Sequence, residues 1–199
     1  MTASCTPIAA PTIERSRVLM ISGADRHERT ARLIALSRAL LEGEGIEVDL
    51  LDPALHRPTD VYEKWLFAHA IVVIAPAGDN AIADVFKPAI DRMAGAGYPA
   101  QLADRAYGVV VHGESGAAEQ ARRALTGWFD KLGMVDSDSF ATLDRHVGYQ
   151  ESFQGGEQAK ADEDYHAEVR NVTRAVANAV PDLRAGRLTP PERRARRVA

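Results

Sequence analysis

Short apolar runs alternate with segments of helical periodicity along most of the chain. Residues 17–22 (RVLMIS) form an apolar run that ends at Gly23 and reads as a strand. Over residues 29–42, Leu33, Ile34, Leu36, Leu40 and Leu41 recur at helical spacing with Arg32 and Arg38 elsewhere on the wheel, and Gly43 and Gly45 end that helix. IEVDLLD (46–52) alternates apolar and acidic positions as a half-buried strand does. After Pro53 and Pro58, residues 59–67 predict a helix capped by Thr59 or Asp60. AIVVIAP (70–76) is the most hydrophobic run in the chain, which is the pattern of a central parallel strand buried on both faces. A helix follows over 84–93, with Pro88 near its first turn, and then a second buried strand, AYGVVVHG (106–113). Residues 117–132 bring Leu125, Trp128, Phe129 and Leu132 to one face of a helix closed by Gly133. MVDSDSFATL (134–143) is a weaker, edge-like strand, residues 144–160 read as a long loop, and 162–180 form an amphipathic helix with Tyr165, Val169, Val172 and Val176 as its stripe.

Five strands alternating with five helices imply right-handed crossovers and a parallel sheet covered on both faces. The expected fold is a three-layer αβα sandwich around a doubly wound five-stranded parallel sheet in the flavodoxin-like order 2-1-3-4-5. Ligands in that arrangement bind outside the carboxyl ends of strands 1 and 3, where the winding reverses. The loops to watch are therefore 23–30, 76–83 and 113–116.

Composition adds bounds. With 199 residues, 46% hydrophobic and 26% charged, the chain suits one globular domain and excludes collagen-like or largely disordered classes. The expected division is a flexible leader at 1–16, one domain at 17–180 and a basic, disordered tail at 181–199. The formal net charge of −4 gives no bulk attraction for nucleic acid or anionic lipid, so neither is an expected partner. That average is uneven: residues 181–199 hold six arginines against two acids, +4, which leaves −8 for residues 1–180. A single cysteine, Cys5, excludes an intrachain disulfide framework or a CxxC redox pair. The leader lacks a basic start followed by an unbroken apolar segment, and no stretch is long enough to span a bilayer, so a cytoplasmic protein is expected.

The first loop, SGADRHERTA (22–31), combines a tight turn at Gly23, positive charge from Arg26 and Arg29, and the Thr30 hydroxyl beside the free amides of a helix start. This set suits a phosphate monoester; it equally suits a plain turn with a solvated charged cap. Neither GxGxxG nor GxxxxGK[ST] occurs there. In the second loop Pro76 ends the strand, and Ala77, Gly78, Asn80, Ala81 and Ile82 let backbone amides approach a flat ligand. The third, HGESGAAEQ (112–120), offers Gly113, Glu114, Ser115 and Gly116, with N-capping by Ser115 as the alternative role.

These loops, in this order, resemble those of the NADPH-dependent FMN reductase and multimeric flavodoxin-like family, over roughly residues 17–180. The resemblance implies noncovalent FMN, its phosphate on Arg26, Arg29 and Thr30 and its ring between residues 76–82 and 113–116, with NAD(P)H as co-substrate and a quinone, flavin or other small molecule as acceptor. It also implies a homodimer or homotetramer. No catalytic side chain and no metal ligand is implied, because the flavin carries the redox chemistry. Ala24 and Asp25 stand where the family has Ser and Pro, and Ala77, Gly78 and Asp79 where it often has an aromatic beside the ring, which predicts weakened FMN affinity. The loop at 144–160 carries His146, Tyr149 and Phe153; by resemblance it closes over the flavin, with His146 and Tyr149 toward the substrate. Two other functions fit the same fold: a noncatalytic binding or regulatory module with weak or lost FMN binding, and an electron-carrier flavodoxin.

Overall fold

The computed structural model describes residues 16–22, 28–52, 60, 64–77, 105–113, 115–137 and 157–184, with backbone alone at 115, 157–163 and 184. The strands are β1 (Arg17–Ser22), β2 (Glu47–Leu51), β3 (Ala70–Pro76), β4 (Ala106–His112) and β5 (Val135–Asp136). The long helices are α1 (Glu28–Gly43), α2 (Ser115–Lys131) and α3 (Glu157–Arg184). All strand pairs are parallel and the sheet order is β2-β1-β3-β4-β5, the order expected for a doubly wound sheet. Residues 60 and 64–66 are helical within the segment expected as a helix at 59–67, whereas the helix expected at 84–93 lies outside the described residues.

Alternation along the strands sorts the core into two layers. Leu19, Ile21, Ile71, Val73, Tyr107, Val109 and Val111 face α2 and the 64–68 segment, meeting Trp65, Leu125 and Phe129. Val18, Met20, Val72, Ile74 and Val110 face α1 and α3, meeting Leu33, Ile34, Leu41, Val169, Val172 and Val176. The apolar runs of β3 and β4 are continuous because both faces are covered. At the amino ends of the strands, the Arg105 guanidinium donates to the carbonyls of Leu66 and Ala68, satisfying groups left over where the short helix ends.

α1 and α2 end alike. Ile46 N–H bonds the carbonyl of Leu41 and Gly45 N–H that of Glu42; Met134 and Gly133 repeat this with Phe129 and Asp130. In each case the residue after the glycine is apolar and buried with the helix it leaves.

α3 departs from expectation at both ends. It begins at Glu157 rather than 162, through the helix formers of EQAKAD, and it runs through Pro181 to Arg184. Pro181 cannot donate to the carbonyl of residue 177, yet Val180 is fully buried and Leu183 packs against the same core, so the last turn is kept by packing. β5 is two residues long where 134–143 was expected, and residues 138–143 lie outside the described set. Among the described residues no helix is long and apolar enough to cross a membrane.

Two tie points set α3 against α1. The buried hydroxyls of Ser37 and Thr173 lie 2.8 Å apart, and the Arg29 guanidinium carbon lies 5.6 Å from the Tyr165 ring centroid. Both ties are separated by the same sequence interval on the two helices, from 29 to 37 and from 165 to 173, so the helices run parallel and in register over about 12 Å.

Candidate functional site

β1, β3 and β4 release the chain on the same edge of the sheet. Ser22 pairs with Ile74 and Pro76 with His112, and the ladder continues one step further, where Ala77 N–H donates to the His112 carbonyl at 2.6 Å. Gly113 follows with φ 135°, a conformation that L side chains rarely adopt, and a Cβ added there would lie 2.8 Å from Ala77 Cβ. The second and third loops thus leave the sheet in contact with one another.

Arg29 and Thr30 sit in the first turn of α1, above the end of β1. Thr30 is fully buried, and its Oγ1 lies 2.8 Å from Nε2 of His112, which is itself 4% exposed. The two residues are 82 apart in sequence, so this bond ties the start of α1 to the end of β4. From α3, Tyr165 reaches the same place. Its Oη donates to the Gly113 carbonyl at 2.8 Å and accepts from Gly113 N–H at 2.9 Å, while its ring meets the His112 ring edge-on with centroids 5.8 Å apart. Arg29 stacks over the tyrosine. Glu28, the acid in this first helical turn, is paired with Arg32 on the exposed face.

Of the residues singled out from sequence, the structure brings Thr30, Ala77 and Gly113 around His112, and Arg29 beside them through Tyr165. Pro76 ends β3. Ser115 and Gly116 open α2, and an added Cβ at Gly116 would meet no atom within 4 Å. Gly23, Arg26, Gly78, Asn80, Ala81, Ile82, Glu114, His146 and Tyr149 lie outside the described residues.

His112 and Tyr165 escaped the sequence reading as site residues. A polar residue closing the apolar run AYGVVVH was the available signal for the first. Tyr165 belongs to the helical stripe and does pack against the core, but only its ring is accounted for in that way; its hydroxyl serves the strand end.

A cleft of about 420 Å³ lies at the other end of the sheet, lined by Arg17, Glu42, Gly45, Ile46, Glu47, Val48 and Asp49. Arg17 is engaged there by Glu47 at 2.9 Å and Asp49 at 3.7 Å. It is away from the strand carboxyl ends, where doubly wound sheets bind ligands.

Comparison with known proteins bears on the whole arrangement. No protein-family profile and no curated protein sequence matches the chain. Among solved structures it is similar to RosB with the bound intermediate 8-demethyl-8-formylriboflavin-5'-phosphate, at a TM-score of 0.63 and 16% identity over 92% of this chain and 86% of that one. It is also similar to diflavin flavoprotein A3 from Nostoc sp. (TM-score 0.57, 12% identity, 87% and 99% covered). A flavodoxin from Pseudomonas aeruginosa gives a TM-score of 0.52 at 14% identity, with 80% and 98% covered. The fold is flavodoxin-like. At such identities the likeness is one of fold and does not single out the NADPH-dependent FMN reductases within it.

The donors at the switch point suit a phosphate monoester. The Arg29 guanidinium, the Thr30 hydroxyl and the macrodipole of α1 all favour a dianion.

Proposed function

We propose that the protein is an FMN-dependent NAD(P)H oxidoreductase whose acceptor is a quinone, a flavin or another small molecule. The observation that carries the reading is the convergence of Arg29, Thr30, Ala77, His112 and Gly113 at the carboxyl ends of β1, β3 and β4, the crevice where doubly wound sheets hold their ligands. The riboflavin-5'-phosphate derivative in RosB supports a flavin phosphate as the ligand class.

Arg29 and Thr30 would hold the phosphate together with Arg26, and the loops that begin at Ala77 and Gly113 would flank the ring. When bound, FMN supplies the redox chemistry, a two-electron transfer from NAD(P)H to the acceptor. The chain's own contribution is to bind and orient. Tyr165 gives the Gly113 turn a fixed position by bonding both of its backbone groups. The proposal also includes a cytoplasmic homodimer or homotetramer.

One observation favours a noncatalytic binding module instead: both backbone groups of Gly113 are already bonded by Tyr165 within the chain. A spectrum separates the two. Purified protein that is yellow, or becomes so with FMN, and bleaches with NADPH under anaerobic conditions supports the oxidoreductase. FMN uptake without bleaching supports an electron carrier, and protein that neither takes up FMN nor oxidises NADPH rejects the flavin reading.

A further inference from the structure

We propose, on the flavin reading above, that Tyr165 is a self-inhibitory latch. Its hydroxyl keeps the Gly113 turn in a fixed shape and fills the two backbone groups that the turn offers, so that a flavin ring settles there only by taking its place.

Gly113 presents its N–H and its carbonyl to a single atom. Tyr165 Oη accepts from the first at 2.9 Å and donates to the second at 2.8 Å. A hydroxyl serves both because it carries a proton as well as lone pairs. In a core such bonds would be obligatory, since an unmade one is costly there. Gly113 is exposed, however, so water can serve the same two groups and the turn is open to solvent. The two bonds therefore add little to stability. What they do is occupy the turn.

The surroundings make the Tyr165 side chain the moving part. The turn is braced: Gly113 has φ 135°, a Cβ added to it would lie 2.8 Å from Ala77 Cβ, and Ala77 N–H is bonded to the His112 carbonyl. The α3 backbone is held as well, because one turn beyond Tyr165 the Glu168 carboxylate is paired with Arg122 of α2 and Val169 is fully buried. Tyr165 itself is half-buried. Its polar neighbours apart from Gly113 are the Arg29 guanidinium over the ring face and the edge-on His112 ring, neither of which bonds the hydroxyl. Swinging the hydroxyl out exchanges two exposed hydrogen bonds for bonds to water, so the open state lies only a modest factor below the closed one. A ligand that binds the open state loses that factor in affinity.

The test compares full-length wild-type protein with Tyr165→Phe, which keeps the ring and removes the hydroxyl. Affinities for FMN and riboflavin are measured by flavin fluorescence quenching, and carbon NMR on tyrosine labelled at Cζ follows Tyr165 of the wild type during an FMN titration. We expect Tyr165→Phe to bind both flavins about tenfold more tightly, the gain from freeing a turn that is open about one time in ten. The gain should be equal for the two flavins, because the latch competes with the ring they share. We expect the Tyr165 Cζ signal to shift as FMN binds. Equal or weaker flavin binding by Tyr165→Phe, a gain for FMN alone, or a Cζ signal that bound FMN leaves in place overturns the proposal while the flavin reading stands. Binding by Tyr165→Phe with none by wild type upholds both. Binding by neither protein rejects the flavin reading and the latch with it. The wild-type titration keeps the proposal open to refutation even if Tyr165→Phe does not fold.

Discussion

At Gly108 the side chains of α3 lie against β4 with no room for a Cβ, and Gly108→Ala tests that packing. A Cβ there would come within 3.0 Å of Val172 Cγ1, nearer than real Cβ contacts allow, and within 3.1 Å of Val176 Cγ2 and Ser137 Oγ. Val176 and Ser137 are fully buried and Val172 is 6% exposed, so none can swing into solvent. One methyl must therefore push α3 off β4 or force Val172 from its rotamer. Overpacking of this kind costs about 1–3 kcal/mol. Replacing a strand glycine recovers part of that, about 0.5–1 kcal/mol, through the lower entropy of the unfolded chain. The net expectation is a loss of about 1–2 kcal/mol. For a domain of this size that is about 2–8 °C in melting temperature. Val172→Ala removes the atom in the way but opens a cavity, costing about 2 kcal/mol by itself. In the double variant the new methyl occupies vacated space, so its destabilisation should fall short of the sum of the singles by about 1 kcal/mol. Thermal melts followed by circular dichroism, with urea titrations to confirm unchanged m-values, measure all four proteins. A Gly108→Ala protein as stable as wild type, or singles that add within about 0.5 kcal/mol, would show that α3 does not pack as described.

Ser37→Ala should cost about 1–3 kcal/mol in urea denaturation by leaving the buried Thr173 hydroxyl without its partner, and adding Thr173→Val should recover part of the loss; equal stability of Ser37→Ala and wild type would remove this tie between α1 and α3. Phe129→Ala should cost about 3–5 kcal/mol, because the ring is fully buried between Trp65 at 5.8 Å and Tyr107 at 4.9 Å, and a loss below about 1 kcal/mol would contradict that burial. Tyr165→Phe keeps the ring but removes both bonds to Gly113, so hydrogen exchange at the Gly113 amide should accelerate with little change in melting temperature; unaltered exchange would refute the latch.

Much of the fold was legible because strand and helix leave different periods in a sequence. The continuous runs of 70–76 and 106–112 read as doubly covered strands, and both are buried along nearly their whole length. What misled was local punctuation. Pro181 marks a helix end by its own chemistry, yet Val180 and Leu183 find core to pack against, and the helix continues. Of the weak strand expected at 134–143, Val135 and Asp136 are paired with Ala106 and Tyr107, Ser137 is not in the strand, and residues 138–143 lie outside the described set.

For the candidate site, the sequence determined the places: strand ends, loop glycines, and the Arg29-Thr30 pair at a helix start follow from short-range pattern and the rule of the switch point. Tertiary structure alone decided the partners. Thr30 meets His112 across 82 residues, and Tyr165 meets Gly113 across 52. No period or motif encodes such meetings. They arise because the parallel sheet sets β4 beyond β1 and β3, while the Ser37–Thr173 pair sets α3 in register with α1, and a hydroxyl or an imidazole gains its chemical role only from what that geometry places within hydrogen-bond reach.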